Sequence, residues 1–194
     1  MPALRILILG HSFIRRLRSF IERNHEYDLS LDFNLTEHVV VGWHGVGGRT
    51  VQKINQYDLD VVESFRPDIV FLQVGTNDLT HANLTPVLVG SAIEDLVRLL
   101  REKYGVKIVC VGQTIHREAA AAFNKKVDIL TRYLRVVLEP LPYAIYWGHR
   151  GFWNSKFQFY SYDGVHLNSQ GHRKLYRSLR GAILKCCKSL HDRS

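Results

Sequence analysis

Apolar, β-favouring runs recur along the chain at residues 4–9, 31–41, 68–74, 106–111 and 143–147. The first, Leu4-Arg5-Ile6-Leu7-Ile8-Leu9, stops at Gly10. The second alternates through Leu31, Phe33 and Leu35 before Val39-Val40-Val41. Three of the five are almost unbroken, the pattern of parallel strands covered on both faces. Between them the period lengthens. Phe13, Ile14, Leu17, Phe20 and Ile21 share one helical face, as do Leu88, Val89, Ala92, Ile93, Leu96, Val97 and Leu100. The latter helix carries its own start signal, Thr85 as N-cap and Pro86 at the first helical position. Phe123, Val127, Leu130, Leu134 and Val137 form a third stripe that ends before Pro140. Leu175, Leu179, Ala182, Ile183, Cys186 and Leu190 form the last, with Ser169 as its expected cap, and residues 50–65 give a weaker helical stretch.

Strand alternating with helix predicts βαβ units, hence a parallel sheet with helices on both faces in a three-layer α/β/α domain. No internal repeat or linker interrupts the pattern. Residues 1–194 therefore read as one domain, long enough to bury a proper core. A 46% hydrophobic content excludes a wholly disordered chain. Three cysteines, two of them adjacent at 186 and 187, form neither a disulfide framework nor a zinc-ligand spacing. Cys110, inside an apolar run, is expected to be a buried, inert thiol. No apolar run approaches the ~18 residues that span a bilayer, and the one near the start is too short for a signal-peptide core. The expectation is a soluble, intracellular domain.

Charge changes this picture at one end. The net charge is +8, and residues 169–194 supply +6 of it through Arg173, Lys174, Arg177, Arg180, Lys185, Lys188 and Arg193 against Asp192. A basic C-terminal helix of this kind has two readings. It is a solvated face that keeps the protein soluble, or a surface for a polyanion such as nucleic acid or an anionic membrane.

In open parallel sheets, ligands gather at the carboxyl ends of the strands, and the unusual residues fall there. The first strand runs into Gly10-His11-Ser12, and the second leads to a glycine-rich stretch at 42–50. The third leads to Gly75-Thr76-Asn77-Asp78, and the loop after the fifth ends in Asp163-Gly164-Val165-His166. A serine hydroxyl becomes a nucleophile when a base takes its proton and oriented donors hold the resulting oxyanion. Ser12 at a helix start has N–H groups beside it, yet an ordinary N-cap would look the same. Gly47-Gly48 offers close backbone approach, or simply a turn. Asn77 offers an amide donor, or an Asx turn. Asp163 and His166, three apart, suit a carboxylate-oriented imidazole, or a structural histidine.

Taken together and in this order, the four blocks resemble the SGNH hydrolases, the GDSL-type esterases and lipases. The resemblance spans nearly the whole chain. It implies a flavodoxin-like sheet of five parallel strands in the order 2-1-3-4-5. It also implies Ser12 as nucleophile, His166 as general base and Asp163 as its orienting carboxylate. The oxyanion hole it implies joins the Ser12 and Gly48 backbone N–H groups with the Asn77 amide. No metal or other cofactor is expected, since no H-E-x-x-H or Cys/His ligand spacing occurs in the chain. The chain departs from the family at His11, where an Asp usually precedes the nucleophile; a non-catalytic copy is the alternative this leaves. His11, Thr76, His116 and Trp153 are the candidate substrate contacts.

The absence of a lid-sized insertion favours a small acylated substrate, of acetyl type, over a long acyl chain. The aromatic loop at 148–162 either walls the pocket or anchors itself as a satellite hydrophobic cluster. The stretch at 42–50 lacks the Gly-Lys-Ser/Thr ending of a phosphate loop, and no G-x-G-x-x-G follows the first strand, which sets nucleotide folds aside. Blocks such as Gly75-Thr76-Asn77-Asp78-Leu79 also resemble invertebrate or retrotransposon-associated members of the family. That resemblance would pair an esterase fold with nucleic-acid contact, although no RNA-recognition signature is present.

Overall fold

Leu4–Gly10 forms β1 because Ile6–Leu9 can be buried on both sides at once, and it becomes the middle of the sheet. The computed structural model describes residues 3–24, 29–35, 38–54, 56–152 and 158–192. β1 pairs in parallel with β2 (Val39–Gly45) on one side and β3 (Ile69–Gln73) on the other. β4 (Ile108–Gly112) and β5 (Ala144–Trp147) follow, giving the order β2-β1-β3-β4-β5. This is the expected five-stranded α/β fold.

Alternation along β1 divides the core. Ile6 and Ile8 pack with α1 (Ser12–Arg23) and α5 (Ser169–His191). Leu7 and Leu9 pack on the other face with α2 (Gln56–Phe65), α3 (Pro86–Glu102) and α4 (Ala121–Leu138). Each fully buried aliphatic side chain contributes about 1.5–3 kcal/mol, so the two clusters dominate stability. Thr85 caps α3 as expected, its Oγ1 accepting the Leu88 N–H. Leu88 itself is exposed, so the buried stripe starts at Val89. Cys110 is fully buried as expected, and burial pushes its thiol up.

Three expected boundaries differ. The run 31–41 is not one strand: β2 begins at Val39 and continues through Gly42-Trp43-His44-Gly45. Ser30, Asp32 and Asn34 turn the chain instead, with Asp32 Oδ1 accepting from the Ser30 hydroxyl and the Asn34 N–H. Phe33 and Asn34 then adopt left-handed φ of 59° and 51°. Phe33 is fully buried between Trp43 and Tyr176, so its apolar signal belongs to a core-filling turn. The stretch 50–65 divides into a short 3₁₀ turn, Val51–Lys53, and α2. Asn168, not Ser169, caps α5, its Oδ1 accepting the Gly171 N–H at 3.0 Å.

A polar seam runs beneath the ends of β3, β4 and β5. Trp147 Nε1–H donates to Ser178 Oγ at 3.0 Å, which lies 2.8 Å from His149 Nδ1. His149 Nε2 lies 2.8 Å from Gln73 Oε1, and Gln73 Nε2–H donates to the Gln113 carbonyl at 2.9 Å. Burial holds the His149 imidazole down to about 3, so it is neutral. Among the described residues, no helix is long and apolar enough to cross a membrane.

Candidate active site

Ser12 is the first residue of α1, in the turn whose N–H groups have no acceptor within the helix. His11 does the capping: its backbone is extended, and its Nδ1 accepts the Phe13 N–H at 3.4 Å. The N-cap reading of Ser12 therefore falls to its neighbour, and the Ser12 hydroxyl is not engaged as the cap. The His11 N–H donates to the Gln73 carbonyl at 3.2 Å, tying the start of α1 to the end of β3. His11 is fully buried. Desolvation first, then the charges of Arg117 and His166, lower its imidazole to about 3. Its Nε2 has no hydrogen-bond partner among the described residues.

The second block hangs from β2. A Cβ at Gly45 would collide with the Arg15 backbone N, so only glycine lets α1 pass this close. Val46 N–H donates to the Gly10 carbonyl, and the chain then turns through Gly48 at φ 69° with open space before it. Left-handed backbone of this kind favours glycine, which answers why the turn carries one. Arg49 fixes the turn from below. Its Nε lies 3.2 Å from Asp58 Oδ2, and its Nη1–H donates to the Lys53 carbonyl at 2.9 Å. Asp58, buried on α2, also holds His44 Nε2 at 2.7 Å.

Asn77 joins the second block to the third. It makes no side-chain cap to the turn that follows it, so the Asx reading gives way. Its Nδ2–H instead donates to the Arg49 carbonyl at 2.9 Å, leaving a second amide hydrogen for another acceptor. Asp78 beside it is buried, with its Oδ1 accepting the Val51 N–H at 2.9 Å. Burial raises its carboxyl despite those N–H contacts.

The fourth block is a tight turn. Asp163 Oδ1 accepts the N–H groups of Val165 and His166, and Asp163 Oδ2 lies 2.6 Å from His166 Nδ1. The ring's hydrogen bond, then the two backbone N–H groups, hold Asp163 well below the usual carboxylate range. With Nδ1–H donating to that carboxylate, Nε2 is left as the basic nitrogen. The His166 ring lies 6.3 Å from the ring of Phe13, the residue that follows Ser12.

Further side chains hold these blocks in place. Arg117 stacks over Phe123 at 3.9 Å and points Nη2–H at the Thr76 carbonyl at 3.5 Å. Asp58 and Arg49 hold the Gly48 turn, and Glu118 N–H ties the loop after β4 to the Gly164 carbonyl at 2.8 Å. Arg49, Arg117 and Glu118 follow strand ends, where ligand contacts are expected, whereas Asp58 inside α2 carries no sequence signal. Among the candidate substrate contacts, Thr76 is buried at the same edge, and its Oγ1 has no partner among the described residues. His116 turns to Asp128 on α4, Nε2 to Oδ1 at 2.8 Å. Trp153 lies outside the described residues. Phe152 and Phe159 join the core under α5 while Tyr162 is fully exposed, so this part of the aromatic loop is an anchoring cluster.

Comparison with known proteins agrees with the fold. A family model, the GDSL-like lipase/acylhydrolase family, matches residues 11–174. The chain belongs to that family, a class of hydrolases acting on esters. Among solved structures it is similar to a candidate GDSL-like lipase from Parabacteroides merdae, with a TM-score of 0.75 at 14% identity over 93% of this chain and 95% of that one. It is also similar to the acetylxylan esterase Axe2 from Geobacillus stearothermophilus, with a TM-score of 0.68 at 16% identity over 94% of each chain. No curated protein sequence matches.

Proposed function

We propose that the protein hydrolyses small carboxylic esters of acetyl type with Ser12 as nucleophile. The observation that carries this reading is the Asp163–His166 pair, whose imidazole ring lies 6.3 Å from that of Phe13, the residue after Ser12. Ser12 Oγ attacks the ester carbonyl carbon while His166 Nε2 takes the hydroxyl proton. The oxygen that becomes negative is held by the backbone N–H groups of Ser12 and Gly48 and by the second Asn77 amide hydrogen. His166 returns the proton to the departing alcohol, leaving an acyl-serine. Water, deprotonated by His166, then releases the acid and restores Ser12. Asp163 keeps Nδ1 protonated and steadies the imidazolium between steps. The acetyl preference rests on the lack of a lid-sized insertion and on the likeness to an acetylxylan esterase.

The test is labelling by a fluorophosphonate together with hydrolysis of an aryl acetate, in the wild type and in Ser12→Ala and His166→Ala. The wild type is expected to label and turn over. Each variant is expected to lose about 10³-fold or more in kcat, with Ser12→Ala unlabelled. A wild type no faster than Ser12→Ala overturns the assignment.

A further inference from the structure

The C-terminal helix does not present its positive charge evenly. Arg173, Lys174 and Arg177 face a cavity of about 1180 Å³, while Arg180 turns away and donates from Nε to the Phe33 carbonyl at 3.0 Å. Two further cations reach the same cavity from other elements, Arg135 on α4 and Arg150 after β5. Arg177 links the first three, since it lies four residues from Arg173 and three from Lys174, the spacings that make neighbours on a helix surface. The other two are brought there by the sheet, because β5 is its edge strand and leaves a gap between α4 and α5. Among the described lining residues there is no Asp or Glu, so the lining itself is cationic throughout its charged positions. Such convergence is unfavourable in the empty protein and needs support. Aromatic rings supply it: the Arg135 guanidinium lies 5.1 Å from the Tyr146 ring, and Lys174 Nζ lies 4.9 Å from the Phe159 ring.

We infer that this cavity is a binding site for a compact polyanion, a small molecule carrying two or more phosphate groups. Guanidinium forks match phosphate oxygens in pairs, and four of the five cations are arginines. A single phosphate would engage one or two of them, whereas clustered phosphates engage cations from all three elements at once. The concave, three-sided shape suits a compact ligand better than a strand of nucleic acid. A strand would follow the helix outward to Lys185 and Lys188, which do not line the cavity. Neither Ser12, Asp163 nor His166 lines it, so the site is separate from the candidate active site.

Calorimetric titration of the full chain at low salt tests this with inorganic tripolyphosphate as the probe. Monophosphate and single-stranded oligonucleotides of increasing length are the comparison arms. Tripolyphosphate is expected to bind at least about tenfold tighter than monophosphate. Arg150→Ala combined with Arg177→Ala, both exposed and so compatible with folding, is expected to weaken it by about tenfold or more. Lys185→Ala with Lys188→Ala is expected to leave it within about twofold, and fluorophosphonate labelling is expected to be unchanged in both double variants. Absence of tripolyphosphate binding overturns the site. Equal weakening by the Lys185 and Lys188 changes reduces it to net charge and overturns it. Affinity that climbs with oligonucleotide length past that of tripolyphosphate overturns the compact ligand in favour of a nucleic-acid track.

Discussion

His11 and Asn77 show how much a single side chain decides here. An imidazole accepting the Phe13 N–H substitutes for the short polar caps that helices usually take. Replacing it with Ala should cost about 1 kcal/mol of stability, while His11→Asn should keep the cap; urea unfolding of both variants checks this. Asn77 spends one amide hydrogen on the Arg49 carbonyl and keeps one for the proposed oxyanion. Asn77→Ala should therefore lower kcat by about 10²–10³ with a much smaller change in KM, measured on an aryl acetate. An equal change in both constants would assign Asn77 to ground-state binding. The Asn77 amide was anticipated by the family resemblance, but residue type alone settles neither role. An imidazole cap has no sequence signature, and an Asn before an Asp reads first as a turn.

At the scale of elements, burial on both faces made β3 and β4 legible to within a residue or two, because continuous apolar runs have few other uses. The caps were harder. Thr85-Pro86 announces its helix, whereas Asn168 and Ser169 are both good caps and local geometry chose between them. The run at 31–41 misled for a specific reason: Phe33 is buried from a left-handed turn, so alternation persisted where the strand did not. The Gly48 turn depends on a pair in contact across elements, Asp58 on α2 with Arg49, and pairing of that kind is invisible to periodicity. Removing one partner strands a buried charge. Asp58→Ala should cost about 3–5 kcal/mol by chemical denaturation and lower kcat with it, since the turn carries a proposed oxyanion donor.

For the whole molecule, three buried histidines set the acid limit. His11 and His149 are lowered to about 3 and His172 to about 4, in each case chiefly by burial. In the unfolded chain they would take up protons near pH ~6.5, while the folded chain keeps them neutral well below that. The stability they contribute is thus complete above pH ~6.5 and is lost as the pH falls from there through about 4 for His172 and about 3 for His11 and His149. At its steepest the loss for three such groups is about 4 kcal/mol per pH unit. Urea midpoints measured across that window should fall steadily, and a His172→Gln variant should flatten the fall by about a third. A midpoint independent of pH would refute this. The four blocks at one sheet edge were legible in order and spacing, as was the parallel fold. The clustering of cations at the far edge was not, because Arg135 and Arg150 reach it only through the packing of α4 and β5.

The seam under the sheet ends has a direction. An indole N–H can only donate and a backbone carbonyl can only accept, so the termini at Trp147 and Gln113 are one-way groups. Every hydrogen between them must then point the same way: Ser178 O–H toward His149 Nδ1, and His149 Nε2–H toward Gln73 Oε1. The tautomer of a buried imidazole is thereby dictated from both ends, without reference to its own chemistry. No member can reverse alone, and a Glu in place of Gln73 would face the Gln113 carbonyl with two acceptors and no hydrogen between them.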